Sequence, residues 1–314
     1  DRSPSRGLGD VYKRQGIMSY KAAIDVMTDP SAVRSNILAI PGIRESHITD
    51  HALTKNKDYG MSIFLLDIAY FDDDTTRLYD DSTAMPSVSK TVNEFERRQV
   101  DNNTSATYFP NVVITDDKTG QNIEVPPSVA ALAALGFNDR VSYPWYAPAG
   151  FNRGSLDFVS NVSTRLNAGD RDSLYDARIN PIATFPTSVA GRSPYVIFGQ
   201  KTLQQAKSAL DRVNVRRLLL EVKRSIVRVA NSLVFEQNTP ALRARFVSEV
   251  TPLLAIVQAQ SGIEQFKVVC DDSNNTQEDI ESNRLNGRII IVPTRSIEFI
   301  SIDFIITNAG VSFE

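Results

Sequence analysis

Gly60 to Tyr70 reads GMSIFLLDIAY, the strongest strand signal in the first half of the chain. A run that is apolar at successive positions, and not at every second one, suits a strand covered on both faces. That is the pattern of a helix-flanked α/β sheet. Asp72-Asp73-Asp74 follows as a solvated turn. Upstream, Ser35 to Ile40 (SNILAI) reads as a short strand stopped by Pro41-Gly42. Tyr20 to Met27 reads as a short amphipathic helix that Pro30 prevents from continuing. Downstream, Val88 to Val100 has helical spacing through Val88, Val92, Phe95 and Gln99, and Asn111 to Thr115 reads as a strand. Val129 to Phe137 is an alanine-rich helix entered through Pro126-Pro127-Ser128. Tyr143 to Gly150 is a rigid aromatic loop, and Phe151 to Gly199 reads as loop-rich, punctuated by Pro181, Pro186 and Pro194.

The composition shifts near Gly199. Asn214 is placed to cap the clearest helix in the chain, which carries Val215, Leu218, Leu219, Val222, Ile226, Val229 and Leu233 at a 3.6-residue period. Thr239-Pro240 starts a second helix, which Thr251-Pro252 restarts or kinks and Gly262 ends. Strands are expected at Phe266 to Cys270, Leu285 to Val292 and Ile297 to Thr307. The expectation is therefore an α/β middle domain over 16–198, followed by an α+β C-terminal domain over 199–314 with two helices and a small sheet. Residues 1–15 are set apart. Asp10 to Gln15 (DVYKRQ) translates the library adapter GAT GTG TAT AAG AGA CAG, and Ser5 to Gly9 translates the bases before it, so this stretch is expected to be a sequencing artefact.

Composition excludes several classes. Net charge is -3, so no global basic field draws the chain to nucleic acid or anionic lipid. No apolar run approaches the roughly 20 residues of a membrane helix. The single cysteine, Cys270, allows no intramolecular disulfide and lies at a strand end beside Asp271, which disfavours a thiolate. The only histidines, His47 and His51, are four apart but lack the intervening Glu of a zinc-binding His-Glu-x-x-His, and read as exposed residues of a polar strand or loop. No nucleophile elbow, phosphate loop or complete dinucleotide fingerprint appears, and Asp72 to Asp74 lack calcium-loop spacing. No catalytic residue, cofactor or metal is expected.

Two features remain. The long C-terminal helix carries Arg212, Arg216, Arg217, Lys223, Arg224 and Arg228 against Asp211 and Glu221. Such a face is either simply solvated or an electrostatic docking face for an acidic partner; nucleic acid is a weak third, since no aromatic residues interleave. The last strand is apolar on both faces, through Ile297, Phe299 and Ile305 on one and Ile300, Ile302, Phe304 and Ile306 on the other, broken around Ser301 and Asp303. It can close its own sheet or pair with a neighbour's; on sequence alone, closing its own sheet is favoured.

Several segments, in order, resemble contractile phage tail sheath proteins. Asp211 to Leu218 (DRVNVRRL), Phe266 to Asp271 with Asn274-Asn275-Thr276, Trp145 to Gly154 (WYAPAGFNRG), Ile179 to Ile182 (INPI) and Phe198 to Leu203 (FGQKTL) each match a segment of that family. The resemblance implies a non-catalytic middle domain of subtilisin-like topology and a C-terminal α+β domain facing the tail tube. It implies a structural subunit that polymerises helically and contracts to drive the tube through the host envelope for genome ejection, without a nucleotide. Implied partners are further copies of the chain, the tail tube protein, and baseplate and tail terminator proteins. The implied location is the virion, after assembly in the bacterial cytoplasm. The family's N-terminal arm and outer domain would lie upstream of Gly16. Ile297, Phe299, Ile300, Ile302, Phe304 and Ile306 become candidates for the subunit edge, and Arg216, Arg217, Lys223, Arg224 and Arg228 for a tube-facing helix. A tailocin or type VI secretion sheath is the near alternative, and an α/β hydrolase-like enzyme the remote one.

Overall fold

The run at Gly60–Tyr70 supplies the second strand of a five-stranded sheet in a computed structural model that describes residues 4–79, 84–185 and 193–298, with the backbone alone over 4–14. The strands are β1 (Ile37–Ala39), β2 (Ile63–Leu66), β3 (Ser105–Phe109), β4 (Ile179–Thr184) and β5 (Tyr195–Ile197), lying side by side in chain order. β1 to β4 are parallel and β5 is antiparallel to β4. None of the four side chains of β2 is more than 1% exposed, because both faces are covered. Phe64 and Leu66 pack with Phe109 and Ile179 against α2 (Ser46–Tyr59), α3 (Val88–Arg97) and α5 (Ala168–Asp176). Ile63 and Leu65 point the other way, with Tyr108 and Ile182, onto α4 (Pro127–Val141). Each such buried side chain stabilises the fold by about 2 kcal/mol relative to exposure. A three-stranded antiparallel sheet, with Val112–Thr115 between Asn122–Val125 and Val159–Val162, covers the same face.

The C-terminal unit is α6 (Val213–Ser232), α7 (Pro240–Ala259) and a hairpin of β6 (Ile263–Val269) and β7 (Arg288–Pro293), with its own core around Val222, Phe246, Val250 and Leu254. The aromatic loop docks on it. Trp145 Nε1 donates to the Gln260 carbonyl at 3.0 Å, and Gly262 is bare because a Cβ there would stand 2.9 Å from the Trp145 ring. α6 belongs to both units. Val213 and Leu220 enter the sheet core, and Leu218 and Val222 enter the C-terminal core.

Several expectations are corrected. Residues 151–199 hold a strand, α5, β4 and β5, and are not mainly loop. α5 starts at a capping box of Asn167 and Asp170. β3 went unread because Ser105 and Thr107 interrupt its apolar pattern; both are fully buried, and Thr107 donates its hydroxyl to the Leu66 carbonyl at 2.7 Å. His47 and His51 lie in α2, not in a strand or loop, and His51 Nε2 sits 2.9 Å from Asp25. The first helix, α1, spans Pro4–Met27 and so begins well before Tyr20. α7 does not restart at Pro252 but is continuous through it, with Val250 and Leu254 buried on either side. α6 is capped by Arg212, while Asn214 turns inward and donates to the Trp145 carbonyl at 3.3 Å.

Asp67, just past β2, ties the first turn of α4 to the sheet. Its carboxylate accepts from the Ser128 N–H at 3.1 Å, the Ser128 hydroxyl at 2.6 Å and the Gly42 N–H at 2.9 Å. Burial nevertheless pushes its pKa above the ordinary aspartate value. Asp67→Ala orphans three donors and is expected to lower stability by about 2–3 kcal/mol; equilibrium urea unfolding, followed by circular dichroism, checks this.

Candidate subunit-contact site

Two parts of the C-terminal unit bear on contact with another molecule. The first is the β6–β7 hairpin, a two-stranded sheet with no third strand among the described residues. Strand residues alternate in direction. Ile289 and Ile291 turn inward onto the C-terminal core, which leaves Ile290 50% and Val292 43% exposed on the opposite face. An edge with unpaired backbone groups and flanking apolar side chains is a template for an added strand.

The second is a polar clasp where the chain leaves β7. Glu298 accepts from Arg212 Nε at 2.7 Å and Nη2 at 3.0 Å, a two-pronged pair, from the Tyr175 hydroxyl at 2.9 Å and from Gln200 at 3.0 Å. Gln200 also donates to the Ser296 hydroxyl at 2.6 Å. Burial alone would raise the Glu298 pKa, but the hydrogen bonds from Arg212, Gln200 and Tyr175 outweigh it and hold the carboxyl below the ordinary glutamate value. Tyr175 moves the other way, pushed up to about 12 by burial and by Glu298. Lys201 stands 3.3 Å from the centre of the Tyr175 ring and donates to the Tyr175 carbonyl at 2.6 Å.

These groups line an open cleft of about 970 Å³. Convergent titratable groups in a cleft are what an enzyme would show. Here the charges are committed to one another: the carboxylate accepts four bonds and the lysine is seated on an aromatic ring. The arrangement fits the holding of a chain segment, while burial pushes the Lys201 pKa below the ordinary lysine value. Among the described residues no group of three or more histidine, cysteine or acidic side chains could hold a metal. Cys270 is buried, and burial pushes its thiol up.

The basic helix is not an open charged face. At 100° per residue, Arg217 and Arg224 lie within about 60° of Val213 and Leu220, on the side turned to the chain's own sheet. Arg217 is buried and donates to Asp139 of α4 at 2.7 Å. Arg224 donates to the carbonyls of Ser35 at 3.2 Å and Met61 at 3.0 Å. Lys223 reaches the Gly60 carbonyl at 3.1 Å while staying exposed, and Arg228 is exposed with only Ser225, at 3.3 Å, as partner. Arg216 is buried. Of the expected terminal strand, Ile297 is described and is 82% exposed; Phe299, Ile300, Ile302, Phe304 and Ile306 lie outside the described residues. The clasp was missed in the sequence because Tyr175, Arg212 and Glu298 are far apart along the chain and no local motif links them.

This fold, a mainly parallel sheet covered on both faces and joined through one long helix to an α+β unit, is shared with solved contractile sheaths. The structure superposes on the sheath complex of an extracellular contractile injection system (PVC) in its contracted state, with a TM-score of 0.69 at 21% identity, covering 88% of this chain and 72% of that one. It superposes on the contracted helical sheath of the anti-feeding prophage with a TM-score of 0.67 at 21% identity, covering 91% of this chain and 73% of that one. At these identities the likeness is one of fold. Sequence narrows the family. The tail sheath protein of Vibrio phage KVP40 is 37% identical over 219 residues, 68% of this chain and 32% of that protein. The tail sheath protein of Enterobacteria phage T4 is 36% identical over 189 residues, 60% of this chain and 28% of that protein. The chain thus spans about a third or less of the length of these curated relatives. Residues 205–307 match the phage tail sheath C-terminal domain, so the family match and the curated relatives alike liken the chain to tail sheath proteins.

The clasp has a pH signature. Glu298 has a depressed pKa, so its stabilisation is complete above the ordinary value of 4.5 and is lost as pH falls through the folded value. Hydrogen exchange over 294–298, corrected for intrinsic rate, should be slow at neutral pH and accelerate below that range. At neutral pH, Glu298→Ala should speed tryptic cleavage after Arg295 about tenfold or more, the loss expected for charge-assisted hydrogen bonds.

Proposed function

We propose that this chain is a structural subunit of a contractile phage tail sheath. In that reading it polymerises helically around a tail tube and contracts to drive the tube through the host envelope. The observation that carries it is the open β6–β7 hairpin, which has no third strand among the described residues. The structure therefore offers an acceptor edge, and the sequence an apolar donor strand at Ile297 to Thr307. An isologous or ring-closing contact would cap growth, whereas a donor and an acceptor at different places on one chain give a head-to-tail contact that continues into a helix.

The same reading includes a division near Gly199, with a non-catalytic middle domain over 16–198 and a sheath C-terminal domain over 199–314. The four parallel strands with helices on both faces support a subtilisin-like description of the former. Residues 1–15 are set aside as adapter-derived on the match of Asp10 to Gln15 to the adapter codons. The partners are further copies of the chain, a tube protein, and baseplate and terminator proteins, in a virion assembled in the bacterial cytoplasm. Any tube-facing charge on α6 narrows to Lys223 and Arg228, because Arg217 and Arg224 are committed to the chain's own sheet unit. The likeness to injection-system sheaths keeps a tailocin or secretion-type sheath as the second reading.

Negative-stain microscopy of the concentrated chain tests the reading: tubes, rings or stacked discs are expected. Ile302→Asp together with Phe304→Asp should abolish them while leaving the circular dichroism spectrum unchanged, since the acceptor hairpin folds without the donor. Undiminished polymerisation of the double variant would refute the role of the terminal strand.

A further inference from the structure

The chain holds a single Asn-Gly step, Asn286–Gly287, at the entry to β7. An asparagine amide is thermolabile, and most so before glycine, whose missing Cβ leaves its peptide nitrogen free to reach that amide. Gly287 is fixed by packing: a Cβ there would stand 2.8 Å from the ring of Phe246, which is buried in the C-terminal core. Asn286 is exposed, so water reaches it. Its backbone is clamped all the same. The Asn286 N–H donates to Asn275 Oδ1 at 2.7 Å, and its carbonyl accepts from Asn274 Nδ2 at 2.7 Å and from Asn275 Nδ2 at 3.0 Å. Asn275 is itself buried, and donates also to the Asp271 carbonyl at 3.0 Å. The Asn286 side chain bonds Asp279, whose carboxyl is held below the ordinary aspartate value by the Thr276 N–H and hydroxyl first and by Asn286 after them.

We propose that Asn286 is a site of spontaneous deamidation, and that Asn274 and Asn275 are the guard that keeps it unmodified while the hairpin is folded. In the reaction the Gly287 nitrogen, stripped of its proton by hydroxide, attacks Cγ of Asn286. The N–Cγ bond forms, the Cγ–Nδ2 bond breaks, and Nδ2 leaves as ammonia after taking a proton from water. Water then opens the succinimide at either carbonyl, which leaves aspartate or isoaspartate. The attacking nitrogen and the Asn286 carbonyl share one rigid peptide plane. Two hydrogen bonds on that carbonyl therefore fix where the nitrogen points, and reaction waits on a local opening that breaks them. The product no longer fits the hairpin. An aspartate at 286 sets a second carboxylate against Asp279. An isoaspartate adds about 1.5 Å of backbone immediately before Arg288, which is paired with Val269 across the hairpin. Each opening that runs on to product withdraws one chain's β6–β7 hairpin for good.

The test incubates the full chain at mildly alkaline pH in heavy-oxygen water, so that only conversion during the incubation carries label. The tryptic peptide from Leu285 to Arg288 is then read by mass spectrometry. Denatured in guanidinium chloride, the chain should convert steadily to labelled aspartate and isoaspartate, and the native chain about tenfold more slowly or less. Asn275→Ala removes two of the three bonds on the Asn286 backbone and should speed native conversion about tenfold or more. Asn274→Ala removes one of them, spares the buried Asn275 and should speed it by a smaller factor; it decides the matter if circular dichroism shows Asn275→Ala unfolded. Asn286→Asp should quicken hydrogen exchange over 288–293 at neutral pH. No labelled product from the denatured chain overturns the site. Native conversion as fast as denatured overturns the guard, and so does a folded clamp variant that converts at the wild-type rate. Unchanged exchange in Asn286→Asp overturns the effect on the hairpin.

Discussion

Helix α6 is required on two sides at once, and the rest of the structure is arranged around that demand. Val213 and Leu220 complete the core on one face of the parallel sheet, while Leu218 and Val222 begin the core of the C-terminal unit. Its N-terminal cap has no side-chain bond of its own, and the helix is held by neighbours instead. Asn214 is tied to the aromatic loop, Arg217 to α4, and Arg224 to the carbonyls flanking β1 and β2. A helix pinned in this way couples the sheet to the hairpin: neither unit can turn about α6 without breaking buried polar bonds, each of which is costly to leave unmade.

This explains how the positive charge is used. A row of basic residues reads in isolation as a surface waiting for an acidic partner. In the fold, Arg212, Arg217 and Arg224 are consumed by Glu298, Asp139 and backbone carbonyls. Guanidinium groups suit the task, because their planar forks satisfy several acceptors at once and stay charged when partly buried. The β6–β7 hairpin, by contrast, has no third strand among the described residues and leaves Ile290 and Val292 exposed. In the cleft beside it, Glu298, Arg212, Tyr175 and Lys201 are bonded to or seated on one another.

Much of this was legible along the chain, and the misses share a cause. The apolar run at β2, the apolar stripe of α6, the Thr239-Pro240 start of α7 and the strand before Cys270 are local patterns set by period and capping, and they appear near their expected places. β3 did not read as a strand, because its buried polar residues break the apolar pattern: Thr107 is satisfied only across the sheet, by β2, and the Ser105 hydroxyl is buried without a partner among the described residues. The Asn167–Asp170 capping box was a signal present in the sequence and passed over amid the surrounding prolines and glycines.

The sequence by itself determined the continuous apolar run that makes β2 a two-sided strand, the amphipathic helices behind the hairpin and the family resemblance carried by DRVNVRRL, because each depends on neighbours within a few residues. Tertiary structure alone decided which charges are spent and which are left over. Arg212, Arg216 and Arg217 stand within two turns of one helix and look alike in the sequence. One meets Glu298, one meets Asp139, and Arg216 has no ion pair among the described residues and keeps its Nε buried without a hydrogen-bond partner. The fate of a charge depends on what the fold brings within about 4 Å of it, and that distance is not written in the order of residues.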